Sequence, residues 1–203
     1  MKYKWLNKKG NNQIILFFNG WGMDEGVVEH LEYNNFDVLM FYDYSSLDTD
    51  FDFEILNDYL ERYLIAWSMG VMCATNFDIK YNKKIAINGT LKPIDNDFGI
   101  PEKIYNLTLN NFSPVSAKKF IANMFVGIIP DIEIKRDFEN QKAELSALKK
   151  VNSRPNFVYD KILISSKDKI IPTKNQEKFW GISANLNSGH FPFNLFKNWG
   201  EIL

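Results

Sequence analysis

One cysteine and two histidines are all that 203 residues supply of the commonest metal-binding side chains. Cys73 has no internal disulfide partner and stands where a small buried hydrophobe suits helix packing, so a reducing setting is expected. Two distant histidines and one thiol make no ligand spacing of the zinc type, and neither a metal nor another cofactor is expected. Charge of one sign is missing too: 24 Lys and Arg stand against 25 Asp and Glu, a net charge of -1. Without a basic field, nucleic acid is not an expected partner. No apolar run approaches the ~20 residues that cross a bilayer, and Met1-Lys2-Tyr3-Lys4-Trp5 has neither an h-region nor a cleavage site. A cytoplasmic protein without a membrane partner is predicted. Repeats and low-complexity linkers are also lacking, and a monomer is the default expectation.

What is present suits one folded domain. Apolar residues make up 45 % and aromatics 15 %, and the length allows one substantial core. Gln13 to Asn19 reads as a buried strand ending in Gly20-Trp21-Gly22. Asp24 then caps an expected helix carrying Val27, Val28 and Leu31. Phe36 to Tyr42 is the next strand, and Ile55, Leu56, Tyr59, Leu60 and Tyr63 give a second helical stripe. Further strands are expected at Leu64 to Trp67, Lys84 to Thr90, Lys161 to Ser166 and Ile182 to Asn187, with a helix near Asn175 to Trp180. Strands alternating with helices imply a mostly parallel sheet flanked by helices, with ligands gathering at the carboxyl ends of the strands. The stretch from about 99 to 155 breaks the alternation. It offers two helical patterns, Ser116 to Val126 and Phe138 to Val151, and reads as an inserted helical cap.

Ala66-Trp67-Ser68-Met69-Gly70 has the form of a nucleophile elbow, a strained strand-to-helix turn that lifts one hydroxyl above the sheet. The usual pattern has glycine two before and two after the serine; here Ala66 replaces the first and Gly70 is kept. A serine hydroxyl needs a base, an acid to orient that base, and donors for the developing oxyanion. His190, in the turn after the last expected strand, is the candidate base, whereas His30 lies among Glu29 and Glu32 on an expected solvent-facing helix. Asp168, after the preceding strand, is the candidate acid, with Asp95 and Asp97 as rivals. The order Ser68, Asp168, His190 is the one expected of α/β-hydrolases. Backbone N–H groups of Met69 and Trp21 are the candidate oxyanion donors, although a glycine turn such as Gly20-Trp21-Gly22 can also be a simple tight connection.

With these residues assembled, the chain resembles the α/β-hydrolase superfamily and, within it, the pimeloyl-acyl carrier protein methyl ester esterases of biotin synthesis, in the short form called BioG. The resemblance is carried by Phe17-Phe18-Asn19-Gly20-Trp21-Gly22-Met23-Asp24, Ala66-Trp67-Ser68-Met69-Gly70, Ala86-Ile87-Asn88-Gly89-Thr90, Phe98-Gly99-Ile100-Pro101 and Gly189-His190-Phe191-Pro192. It implies an α/β-hydrolase fold and hydrolysis of the ω-methyl ester of pimeloyl-acyl carrier protein, releasing methanol. It further implies that the cap forms an acyl channel, for which Phe112, Phe120, Met124 and Phe125 are apolar candidates, and that the acidic acyl carrier protein is a partner. Lys118, Lys119, Arg136 and Lys142 are the candidate carrier contacts. Acidic neighbours such as Glu139 and Glu144 leave a simply solvated face as the alternative, and an aromatic stripe at helical spacing, like this apolar set, is more often plain core.

Overall fold

The computed structural model describes residues 1–127 and 132–203. A six-stranded sheet is built from β1 (Lys2–Asn7), β2 (Gln13–Phe18), β3 (Phe36–Tyr42), β4 (Glu61–Trp67), β5 (Lys83–Ile87) and β6 (Lys161–Leu163), in the order β1-β3-β2-β4-β5-β6. All neighbours pair parallel except β1, which runs antiparallel to β3 at the edge. The helices are α1 (Gly70–Cys73), α2 (Glu102–Asn110), α3 (Pro114–Asn123), α4 (Phe138–Leu148) and α5 (Thr173–Trp180). No described helix is long and apolar enough to cross a membrane.

The central strands are apolar at every step because both faces are covered. Ile14, Leu16, Phe18, Leu64, Ala66 and Ala86 pack on one side, against α1 and residues of α4. Ile15, Phe17, Ile65, Trp67, Ile85 and Ile87 pack on the other, against Val27, Phe193 and Trp199. Much of this second layer consists of short 3₁₀ segments rather than long helices.

Four expectations are corrected. The helical stripe at 55–63 is a 3₁₀ segment, Phe53–Asp58, followed at once by β4; Tyr63 pairs with Ile15 and Lys83, and Leu60 is exposed. Sheet pairing on both sides of β4 overrides the helical spacing. The helix after Asp24 is likewise only a 3₁₀ turn, Glu25–Val27, although the Asp24 side chain does accept from Gly26 N–H as a cap. The strand expected at 182–187 shrinks to a single bridge, Ser165 with Leu186, because its polar residues are largely exposed. Among the described residues between β5 and β6 there are three helices, not the two expected, α2 being the addition. The edge strand β1 was not anticipated either.

Candidate active site

The elbow arises where β4 ends between β2 and β5. Ser68 sits at φ 57, a left-handed conformation that a non-glycine residue adopts only under constraint. The constraint is visible: Ser68 N–H donates to Ile87 O at 2.9 Å, and Gly70 lies so close to β2 that a Cβ there would stand 2.2 Å from Phe18 O. Gly70 is therefore obligatory, whereas Ala66, fully buried between Phe18 and Ala86, has room for its methyl.

Ser68, directly after β4, Asp168, in the turn after β6, and His190, in the turn after the Leu186 bridge, are brought together. His190 Nε2 is 2.9 Å from Ser68 Oγ, and His190 Nδ1 is 2.7 Å from Asp168 Oδ2. A carboxylate only accepts, so Nδ1 carries the proton facing it and Nε2 is left as acceptor for the serine hydroxyl. Asp168 is held on every side: Oδ1 accepts from Ile170 and Ile171 N–H at 2.8 and 3.0 Å, and Oδ2 also accepts from Gln176 Nε2 at 2.8 Å. Asp95 and Asp97 lie elsewhere. Asp97 pairs with Lys178 at 2.6 Å, and Asp95 accepts from the N–H groups of Asp97 and Phe98. His30 is exposed, with Nε2 3.1 Å from Phe193 O.

Three supporting residues were missed from sequence. Trp67 Nε1 and Asn88 Nδ2 both donate to the His190 carbonyl, at 2.9 and 3.0 Å. Asn88 also joins β5 to the chain after β6, accepting from Ser165 N–H at 2.7 Å and donating to Ser165 Oγ at 2.8 Å. Its φ of 45 suits asparagine, and an Asn-Gly pair directly after a buried strand was the available signal. The third is Gln176, fully buried behind Asp168; nothing in its sequence context marked it.

Ser68 and His190 open into a cleft of about 140 Å³, also lined by Trp21, Met69, Ile104, Phe120, Met124 and Lys169. Among the described residues, neither Trp21 N–H nor Met69 N–H has an acceptor. Of the candidate channel residues, Phe120 and Met124 line this cleft, and Phe112 and Phe125 do not. Phe112 packs between Trp21 and Phe138, with ring centroids 5.2 and 4.8 Å away, and Phe125 packs on Phe191 at 4.8 Å. Phe112 precedes the Ser113 cap of α3 and Phe125 follows its Met124 cap, and each ring is taken up by aromatic neighbours instead of the cleft.

The candidate carrier contacts also divide. Lys118 and Lys119 are exposed on α3, and Lys142 is half-buried on α4 beside Glu139. Arg136 is not a surface residue: its side chain is 6 % exposed and bonds Glu144 at 2.5 Å, Asp43 at 3.3 Å and Asn140 at 2.5 Å. The interleaved acid Glu144, one of those that left a solvated face as the alternative, is fully buried. Burial pushes its carboxyl above the ordinary glutamate value, against the pull of Arg136. Asp43 is held below its ordinary value, because bonds from Lys2 and Ser45 and the charge of Arg136 outweigh burial. Among the described residues no cluster of His, Cys, Asp and Glu could hold a metal ion.

A mostly parallel sheet covered on both faces, with a strained serine turn after a central strand, defines the α/β-hydrolase class. A thermophilic esterase from Thermogutta terrifontis shares this fold, with a TM-score of 0.58 at 14 % identity over 94 % of this chain and 86 % of that one. The particular family is also defined: residues 1–202 match the model of "Pimeloyl-ACP methyl esterase BioG", and the chain belongs to that family. The crystal structure of BioG from Haemophilus influenzae superimposes with a TM-score of 0.90 at 31 % identity, covering 100 % of this chain and 99 % of that one. A malonyl-[acyl-carrier protein] O-methyltransferase of Bacteroides fragilis is 39 % identical over 83 % of the chain, which spans only 36 % of that relative's length.

Proposed function

We propose that the protein is a serine carboxylesterase that hydrolyses the methyl ester of pimeloyl-acyl carrier protein in biotin synthesis, giving pimeloyl-acyl carrier protein and methanol. The observation that carries this reading is the hydrogen-bonded chain Ser68–His190–Asp168 at the base of an apolar cleft, in a member of the BioG family.

In the mechanism, Ser68 Oγ attacks the ester carbonyl while His190 Nε2 takes its proton. The oxyanion is received by the Trp21 and Met69 N–H groups. As the tetrahedral intermediate collapses, His190 returns the proton to the departing methoxide, and methanol leaves. Water then gives a proton to His190, attacks the acyl-serine, and the proton passes back to Ser68 as the acid is released. Asp168 holds the Nδ1–H tautomer and stabilises the imidazolium formed in each half-reaction. Residues of about 99–155 act as the cap, with Phe120 and Met124 against the methylene chain. Lys118, Lys119 and Lys142 remain the proposed contacts for the acidic carrier, and Lys169, exposed at the cleft, joins them.

Methanol release from the carrier-linked methyl ester is compared with release from free dimethyl pimelate. Preference for the carrier-linked ester is expected. Equal efficiency on both would replace carrier recognition by a broader short-acyl esterase, and the Ser68→Ala variant rescuing a biotin-requiring strain without its own esterase would remove the covalent mechanism.

A further inference from the structure

The turn Gly20-Trp21-Gly22 carries three successive N–H groups, and only the middle one is left without an acceptor among the described residues. Gly20 N–H is taken by Asn19 Oδ1 at 2.8 Å, within the turn itself. Gly22 N–H is taken from outside, by Glu144 Oε2 on α4 at 3.1 Å. The Trp21 side chain is tied to the same helix, its indole N–H donating to Gln141 O at 2.8 Å. The segment before α4 adds a further tether, Lys135 N–H to Asp24 Oδ2 at 2.6 Å.

Glu144 is an expensive way to hold a turn. A buried carboxylate loses several kcal/mol of hydration, and well-packed apolar residues often replace a buried ion pair without loss of stability. What a carboxylate adds is fixed acceptors for several donors at once. Here Oε2 receives Gly22 N–H and Arg136 Nη1, and Oε1 receives Tyr44 N–H at 3.0 Å. One side chain thus binds the turns after β2 and β3 to α4. Gly22 is at φ 72, so the peptide that follows Trp21 has an unusual orientation that this bond fixes.

We propose that Glu144, held by Arg136, is a positioning residue for the oxyanion site: by fixing Gly22 it aims the Trp21 N–H at the carbonyl oxygen above Ser68. The inference rests on the esterase reading and deepens it, since the cap then helps to build the oxyanion site as well as to cover the acyl chain. Misplacing catalytic groups by about 1 Å costs on the order of 10² in rate, comparable to loss of one oxyanion donor.

The test is the double variant Arg136→Met/Glu144→Met, which removes the acceptor together with its cation and leaves buried Asp43 paired with Lys2 at 2.9 Å, beside Glu144→Gln, which keeps one oxygen able to accept from Gly22. Hydrolysis of p-nitrophenyl butyrate is measured with affinity for an alkylboronic acid, whose boron takes an electron pair from Ser68 Oγ as the hydroxyl proton passes to His190. The folded double variant is expected to lose on the order of 10² in kcat with KM changed by less than about threefold. Its boronate affinity falls in parallel, and Glu144→Gln stays within about fivefold of wild type. Wild-type kcat in the double variant, a loss confined to KM, or Glu144→Gln as impaired as the double variant would overturn the proposal. Trp21→Phe, which cuts the indole tether and leaves the ion pair intact, provides a second measurement: boronate affinity should fall more than substrate affinity, and an equal fall in both would also overturn it. A wild type with no hydrolysis of p-nitrophenyl butyrate or of either methyl ester would instead refute the esterase reading itself.

Discussion

Replacing Gly70 by alanine tests whether the elbow and the oxyanion turn are held in register by contact with β2. The added Cβ would lie 2.2 Å from Phe18 O and 2.6 Å from Asn19 O, where ordinary contact begins near 3.4 Å. Both obstacles are backbone, so no rotamer change relieves them, and α1 must retreat from β2 by more than 1 Å. Overpacking of this kind costs about 1–3 kcal/mol, which for a chain of this size lowers Tm by roughly 2–4 °C per kcal/mol. The retreat also separates Met69, on the elbow, from Trp21, on the turn after β2, and a displacement of about 1 Å predicts a loss on the order of 10² in kcat. Ala66→Gly is the control. It removes one buried methyl from β4, costs about 0.5–1 kcal/mol, and should leave kcat within about threefold. Thermal unfolding with ester-hydrolysis kinetics well below Tm decides the matter. Gly70→Ala with wild-type kcat, or Ala66→Gly equally impaired, would show that contact with β2 does not hold the two turns in register.

Three other outcomes are expected. Asp168→Asn should keep its shape but disturb the His190 tautomer and lower kcat on the order of 10³–10⁴-fold, while Asp97→Asn leaves ester hydrolysis unchanged. Asn88→Ala should destabilise by about 2–3 kcal/mol in urea titrations, because it strips buried bonds to Ser165 and the His190 carbonyl from a left-handed position. Asp37 is pushed up by burial, but it is held below its ordinary value by bonds from Lys9, Gly10, Asn11 and Tyr59 that outweigh it. A depressed carboxyl contributes stability above its unfolded value of about 3.9 and loses it as pH falls through the folded one. Asp37→Asn should therefore destabilise at pH 7 in urea titrations, with the gap narrowing as pH falls below about 4; a gap independent of pH would contradict this.

The legible parts of the molecule were those whose physics is local or set by chain order. The serine turn advertises itself because close backbone approach demands Gly70 at fixed spacing, and Gly20-Trp21-Gly22 because Gly22 takes a left-handed φ of 72 and Gly20 lies against the Trp67 ring. His190 and Asp168 followed from their places after successive strand-like runs, even though the run at 182–187 forms only a bridge. The illegible parts depend on distant partners. Tyr63 and Leu60 have helical spacing, but β2 and β5 recruit the segment into the sheet. Arg136 has the composition of a surface residue and is buried only because Asp43, from the turn after β3, and Glu144, from α4, converge on it. Gln176 and Trp67 look like ordinary helix and strand residues until Asp168 and the His190 carbonyl are placed beside them.

Labelling with a fluorophosphonate, followed by peptide mass mapping, tests most directly whether Ser68 is an activated nucleophile. A single adduct on Ser68 is expected, absent in Ser68→Ala and strongly slowed in His190→Ala. No adduct, or one on another residue, would contradict it.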